Sequence, residues 1–317
     1  VNGATDAAER GAPTATRRQG SMAAEECVRR LRRPDGATIA YAVHRPPVPD
    51  RPPLLLIHGL ASNRSRFAEF AEHTVLASRR ALIRIDLRGH GESITRRRVG
   101  TDLWCDDLAA VLDAEGAAAA IVVGHSLGAQ VALHFARRHP RRVAALVLID
   151  PVFRSALHGR WLRLAQAAPL IALAARLVRA LNALGLHRRA LPPLDLRALD
   201  EAARRALGSP EAERAFIARY SSARADLRHV PLAVYLQDLV EMFTPAPLPR
   251  ELGVPVLALL STGATFADAG EMRAALAGAN VTVQPIACQH WPLTERPLEV
   301  RAAVERWCDA LAPQTPA

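Results

Sequence analysis

The chain has 317 residues, is 50% hydrophobic and carries a formal net charge of +10, which allows one large core or two smaller ones and excludes a wholly disordered chain. All 41 basic residues are arginine, so a coding bias toward GC-rich codons accounts for the charge as well as an acidic partner does. Aromatic residues make up only 4%, leaving few platforms for base stacking, and no nucleic-acid partner is expected.

Residues 1–21, rich in Ala, Gly, Thr and Arg, lack apolar periodicity and read as a disordered arm; Met22 and an alternative start at Val1 both fit the sequence. Short β-type runs then follow at Thr38 to Val43, Leu54 to Ile57, Ala81 to Ile85, Ala120 to Val123 and Val143 to Ile149. From Leu54 onward they are almost uniformly apolar, as strands buried on both faces by crossover helices are. Between Pro151 and Gly253 the pattern turns helical, over Trp161 to Leu186, Leu199 to Leu207, Pro210 to Ser221 and Pro231 to Phe243. Strand-type runs resume at Val254 to Leu260 and Val281 to Ile286. The order predicts an α/β fold with a mostly parallel sheet, its core formed by residues 22–152 and 251–317 and interrupted by a helical cap over residues 153–250.

The longest charge-free apolar run of the middle, Leu164 to Ala175, contains Pro169 and is too short to span a bilayer. Cys27, Cys105, Cys288 and Cys308 lie far apart without metal-ligand spacing, so free thiols in a reducing, cytoplasmic compartment are expected and no metal site is. No secretory signal opens the sequence.

The run from Ile121 to Leu133 is interrupted by Gly124-His125-Ser126-Leu127-Gly128. This G-x-S-x-G lies between a strand-type run and a helix-type run, the context in which such a serine is held on a sharp turn above a sheet. The Leu127 amide then falls at a helix N-terminus, where a free N–H can stabilise an oxyanion. His125 reads as a packing residue beneath the turn, since adjacent residues there point in different directions.

Three further stretches make the chain resemble the α/β-hydrolase superfamily. His58-Gly59-Leu60 follows a strand as the family's oxyanion loop does; Asp86-Leu-Arg-Gly-His-Gly-Glu-Ser93 resembles its Asp-x-x-Gly-x-Gly-x-Ser turn; and Gln289-His290-Trp-Pro resembles the segment bearing its catalytic histidine. The resemblance implies Ser126 as nucleophile, His290 as general base and the amides of Leu60 and Leu127 as oxyanion donors, with His58, Arg88 and His90 architectural. It requires no cofactor and no metal. The triad carboxylate departs from the family's habit: its usual place after the seventh strand falls on Ala264 or Thr265. Asp150, ending the sixth strand, is placed ahead of Asp268, which also reads as a helix N-cap, and a histidine working with neither carboxylate stays open.

The function this implies is a cofactor-independent serine hydrolase of carboxylic esters or related acyl compounds, with a small apolar acyl substrate. A thioesterase, a carbon-carbon bond hydrolase, an acyltransferase, a haloperoxidase-like member or a catalytically weak binding protein of the same fold stay open. The cap's arginines and amphipathic stretch raise membrane-surface binding as a further class; no stable insertion is expected, nor vesicle binding that persists near physiological ionic strength.

Overall fold

The computed structural model describes residues 26–49, 51–206, 209–263 and 267–311; the arm at residues 1–21 and both proposed starts lie outside them. Eight strands are present: β1 (Cys27–Arg32), β2 (Thr38–His44), β3 (Leu54–Ile57), β4 (Leu82–Ile85), β5 (Ala120–His125), β6 (Val143–Ile149), β7 (Val256–Ser261) and β8 (Val281–Ile286). The helices are α1 (Ala68–His73), α2 (Thr101–Ala114), α3 (Leu127–Arg138), α4 (Gly159–Gln166), α5 (Ala168–Ala183), α6 (Leu196–Ala206), α7 (Pro210–Tyr220), α8 (Ala223–Asp226), α9 (Leu232–Met242), α10 (Ala269–Ala275), α11 (Pro292–Glu295) and α12 (Pro297–Ala310).

One sheet holds all eight strands in the order β1-β2-β4-β3-β5-β6-β7-β8. β1, β2 and β4 pair antiparallel and every other pairing is parallel. This is the α/β fold that the alternation of apolar runs implies, with helices on both faces. Side chains alternate along each strand: Leu55, Ile57, Val122 and Leu148 pack toward α2 and α3, where Trp104, Leu108, Val131 and Phe135 meet them. Leu54, Leu56, Val123 and Val147 pack to the other face against Phe70, Val300 and Val304 of α1 and α12.

Three elements differ from the sequence reading. β8, read with the runs buried on both faces, is an edge strand of which only Ile286 is fully buried, because nothing pairs beyond it. β1, Cys-Val-Arg-Arg-Leu-Arg, is an exposed edge strand apart from Leu31, which is half-buried against the core, so it shows no apolar alternation; what mainly holds it is pairing with β2 and the Arg29–Glu115 ion pair at 2.9 Å. The long stretch Trp161 to Leu186 is two helices, α4 and α5, meeting at 60°. Pro169 stands in the first turn of α5; it has no N–H to continue the preceding helix and its ring blocks the carbonyl four residues back.

All elements between β6 and β7 are helical, and this insertion is stitched to the core. Gln130 of α3 donates from Nε2 to the carbonyls of Val152 and, at 2.9 Å, Met242, one near each end of the insertion. His90, in the loop after β4, is fully buried and bonds Asp238 of α9 at 2.9 Å.

The junction of β5 and α3 has no room for side chains at its glycines. A Cβ at Gly124 would lie 2.2 Å from the Gly128 carbonyl oxygen, and one at Gly128 would lie 2.3 Å from that of Ile57. Both obstacles are backbone. Gly124→Ala is therefore expected to lower unfolding stability by at least about 3 kcal/mol, read as the urea midpoint. Gly185→Ala, where φ is +82° but nothing lies within 4 Å, should cost only the roughly 1–2 kcal/mol of backbone strain.

Candidate active site

Ser126 occupies the single residue between β5 and α3, at φ 53° and ψ −118°. Its amide donates to the Ile149 carbonyl of the neighbouring strand at 3.0 Å, and its hydroxyl makes no capping bond to the helix it precedes. The side chain is thus free to face away from the sheet. Among the described residues only two other non-glycines have positive φ, Ala61 at 49° and Asp150 at 45°, and both border the same site. Backbone strain gathered at one place is held there by its surroundings and commonly marks a functional centre.

His290, in the turn between β8 and α11, reaches Ser126 Oγ with Nε2 at 2.8 Å. Its Nδ1 lies 2.5 Å from Asp150 Oδ2. A carboxylate only accepts, so Nδ1 carries the proton and Nε2 is left to accept from the serine hydroxyl. Asp150, at the end of β6, is itself fixed: Oδ1 accepts from the Ser261 amide at 2.9 Å and from the Ser261 hydroxyl at 2.8 Å. Burial disfavours the charged carboxylate, but His290 and the two Ser261 donors outweigh it and hold Asp150 below its ordinary pKa.

The structure therefore brings Ser126, His290 and Asp150 into one hydrogen-bonded line. Asp268 is elsewhere: it caps α10, accepting at 2.9 Å from the amides of Gly270 and Glu271. Ala264 and Thr265 lie outside the described residues. Ser261, which sequence reasoning passed over, stands at the tip of β7 and anchors the acid of the adjacent strand. Its only signal in the sequence is a hydroxyl ending an apolar strand, which is common.

The loop after β3 lies beside the serine. Gly59 packs so tightly that an added Cβ would fall 3.1 Å from the His125 carbonyl oxygen and 3.3 Å from Ser126 Cβ. His58 is fully buried; its Nδ1–H donates to the Gly59 carbonyl at 2.8 Å and its Nε2 accepts from the Leu87 amide at 3.0 Å. Burial pushes its pKa well below the usual value, in keeping with a neutral ring that must accept one of these bonds. His125 is buried beside Gly59 and His290 and lines the cavity over the serine instead of packing beneath the turn; its Nε2 bonds the backbone carbonyl of His290 at 3.2 Å. Burial and the nearby His290 bring its pKa down to about 3. The amides of Leu60 and Leu127 donate to no acceptor among the described residues, and the Leu127 amide begins α3, where the helix dipole favours negative charge.

A cavity of about 210 Å³ opens above Ser126 and His290, roofed by the insertion. Leu157, Trp161, Leu194, Leu199 and Met242 give it apolar walls. Arg66 crosses from the core to hold Asp200 of α6, at 2.9 and 2.7 Å, and Thr294 of α11, at 2.6 Å; Tyr220 donates to the same Asp200 at 2.7 Å. Asp226 of α8 also lines the cavity, where burial, reinforced by Asp238, raises its carboxyl to about 7. Among the described residues no group of His, Cys, Asp and Glu side chains is placed to hold a metal ion.

The family model of the alpha/beta hydrolase fold matches residues 52–297. Curated relatives match over shorter stretches: the dihydrolipoyllysine-residue acetyltransferase component of the acetoin cleaving system of Pseudomonas putida is 36% identical over 113 residues, which is 35% of this chain and 30% of that protein. Lipase LipV of Mycobacterium tuberculosis is 39% identical over 98 residues, 31% of this chain and 36% of that one. The chain thus spans about a third of the length of the curated relatives it matches. Among solved structures, a thermophilic esterase from Thermogutta terrifontis superposes with a TM-score of 0.63 at 22% identity, covering 89% of this chain and 98% of the esterase, a likeness of fold. With the match to the family model covering most of its length, this chain belongs to the α/β-hydrolase fold family.

Proposed function

We propose that the protein is a serine hydrolase of carboxylic esters with an apolar acyl group, acting through an acyl-enzyme. The observation that carries this reading is the line Ser126 Oγ, His290 Nε2, His290 Nδ1 and Asp150 Oδ2, flanked by the amides of Leu60 and Leu127, which meet no acceptor among the described residues. In the proposed reaction His290 Nε2 accepts the hydroxyl proton as Ser126 Oγ bonds to the ester carbonyl carbon. The carbonyl oxygen becomes an oxyanion between the Leu60 and Leu127 N–H groups. Collapse breaks the bond to the alcohol, which leaves with the proton from His290, and water then releases the acid by the same steps in reverse roles. Asp150 keeps the imidazole in the tautomer that can accept and stabilises it once protonated.

The helical insertion acts in this reading as the cap that selects the acyl group, because it supplies most of the apolar wall over the serine. The likeness to lipase LipV supports ester chemistry. A fluorophosphonate probe should label Ser126, and Ser126→Ala should abolish labelling and lower p-nitrophenyl ester turnover by roughly 10⁶-fold with the fold intact. Turnover unchanged in the folded variant would overturn the reading.

Asp150→Asn should lower turnover by roughly three to four orders of magnitude, while Asp268→Asn stays close to wild type; the reverse pattern would move the acid to α10.

The wall residue Asp226 adds a pH dependence. Its raised carboxyl, titrating at about 7, is neutral below that pH and charged above it, so an apolar acyl group should meet a less favourable wall as pH rises through about 7. KM for such esters is expected to rise across that interval, and Asp226→Asn to flatten the rise while leaving the pH profile of kcat in place. A KM rise that persists in the variant would assign it to another group.

A further inference from the structure

α5 packs on α9 and buries Ala175. On the side opposite Ala175 it presents Leu170, Leu173, Leu177 and Leu181, spaced three and four apart and hence in one stripe. Leu184 and Leu186 continue it past the helix end. These side chains are exposed, from 46% at Leu181 to 76% at Leu184, and Leu162 of α4 is exposed nearby in sequence at 40%. Single exposed leucines need no explanation, but a contiguous apolar stripe of this length does.

The charge around the stripe is one-sided. From residue 151 to residue 194 the sequence has seven arginines and no aspartate or glutamate. Among the described residues none of these arginines forms an ion pair, and Arg160, Arg163 and Arg176 are exposed. Arg160 stacks over the Trp161 ring at 5.2 Å; Arg176 flanks the leucines on α5.

We propose that this face docks on an anionic lipid surface, with α5 lying in the interface, leucines toward the acyl chains and arginines at the phosphates. The combination of an apolar stripe with cationic flanks is what such a surface recognises. Pairing with a second copy of the chain would instead place one acid-free, arginine-bearing face against another without countercharge. No single helix among the described residues is long and apolar enough to cross a membrane; α4 and α5 reach that length and apolarity only together, and they are bent by 60° at their junction, which favours docking on the surface. Sequence patterning leads to the weaker expectation of salt-labile binding because leucines facing the insertion's own core look the same; their exposure is what changes it. Trp161 of α4 lines the cavity, so docking would set lipid-dissolved esters beside the cavity wall. That consequence rests on the hydrolase reading, whereas the docking does not.

The test is co-sedimentation of the full chain with phosphatidylcholine vesicles, with and without phosphatidylglycerol at about a third of the lipid, at low salt and at about 0.15 M salt. The phosphatidylglycerol vesicles should bind it at both, and pure phosphatidylcholine vesicles more weakly. A variant with Leu173→Gln, Leu177→Gln and Leu181→Gln should lose at least about tenfold in affinity. A variant with Arg160→Gln, Arg163→Gln and Arg176→Gln should lose the preference for phosphatidylglycerol. Circular dichroism and the thermal midpoint certify both folds independently of any ester turnover. Absence of binding at low salt would overturn the proposal, as would binding that disappears at 0.15 M salt and ignores the leucine changes. So would a dimer in sedimentation that the leucine variant dissociates.

Discussion

The site depends on one close backbone approach, that of α3 to the end of β3. Gly128 has the carbonyls of Ile57 and His58 within a distance that only a hydrogen at Cα tolerates, and Gly124 stands in the same relation to Gly128. Because the helix starts against the strand tips, Ser126 is left in a conformation that side chains rarely adopt, and the first amide of α3 has no acceptor among the described residues. The loop after β3 then falls beside the serine, since Gly59 packs on the same turn. A serine raised above the sheet and a helix-end amide next to it are consequences of the same steric fit.

The carboxylate shows how a sheet can carry one function from two strand ends. β6 lies between β5 and β7, so an acid at its tip reaches His290 from beside the serine. Asp150 turns into position at positive φ, its amide bonded to Leu259 of β7 at 2.8 Å. The tip of β7 contributes Ser261, whose amide and hydroxyl hold the other carboxylate oxygen. A buried carboxylate left with His290 alone would keep lone pairs unsatisfied in a place where desolvation is costly; Ser261 removes that penalty.

Buried polar bonds join the insertion to the core on several sides of the cavity. Gln130 ties two carbonyls of its ends to the helix that begins at the serine, the His90–Asp238 pair fixes α9 to the loop after β4, and Arg66 bridges α6 and α11. Each link leaves a polar group unpaired in the interior if the insertion moves away, so the roof is held in register with the chemistry below it. The outer face of α5 takes no part in these links, which leaves its leucines outward.

Local pattern was enough for much of this. Uniform apolar runs revealed the central parallel strands because burial on both faces leaves little place for polar residues, whereas β8 at the sheet edge keeps Thr282 and Gln284, and the Gly-x-Ser-x-Gly interruption marked the sharp turn because sterics at its glycines admit nothing else. Ser126 and His290 were legible for the same reason: each sits on a motif whose residues are neighbours in sequence. The edge strand β1 was not, since pairing and an ion pair hold it more than burial does, and neither was the break at Ala167, where Pro169 ends one helix and starts another. Which carboxylate meets His290 was a matter for tertiary structure, because Asp150 and Asp268 are alike as loop carboxylates until β7 places Ser261 against one and α10 takes the other as its cap. The same holds for the leucines of α5: a helical stripe has one spacing whether it faces a core or the outside, and only the packing of α5 on α9 decides which.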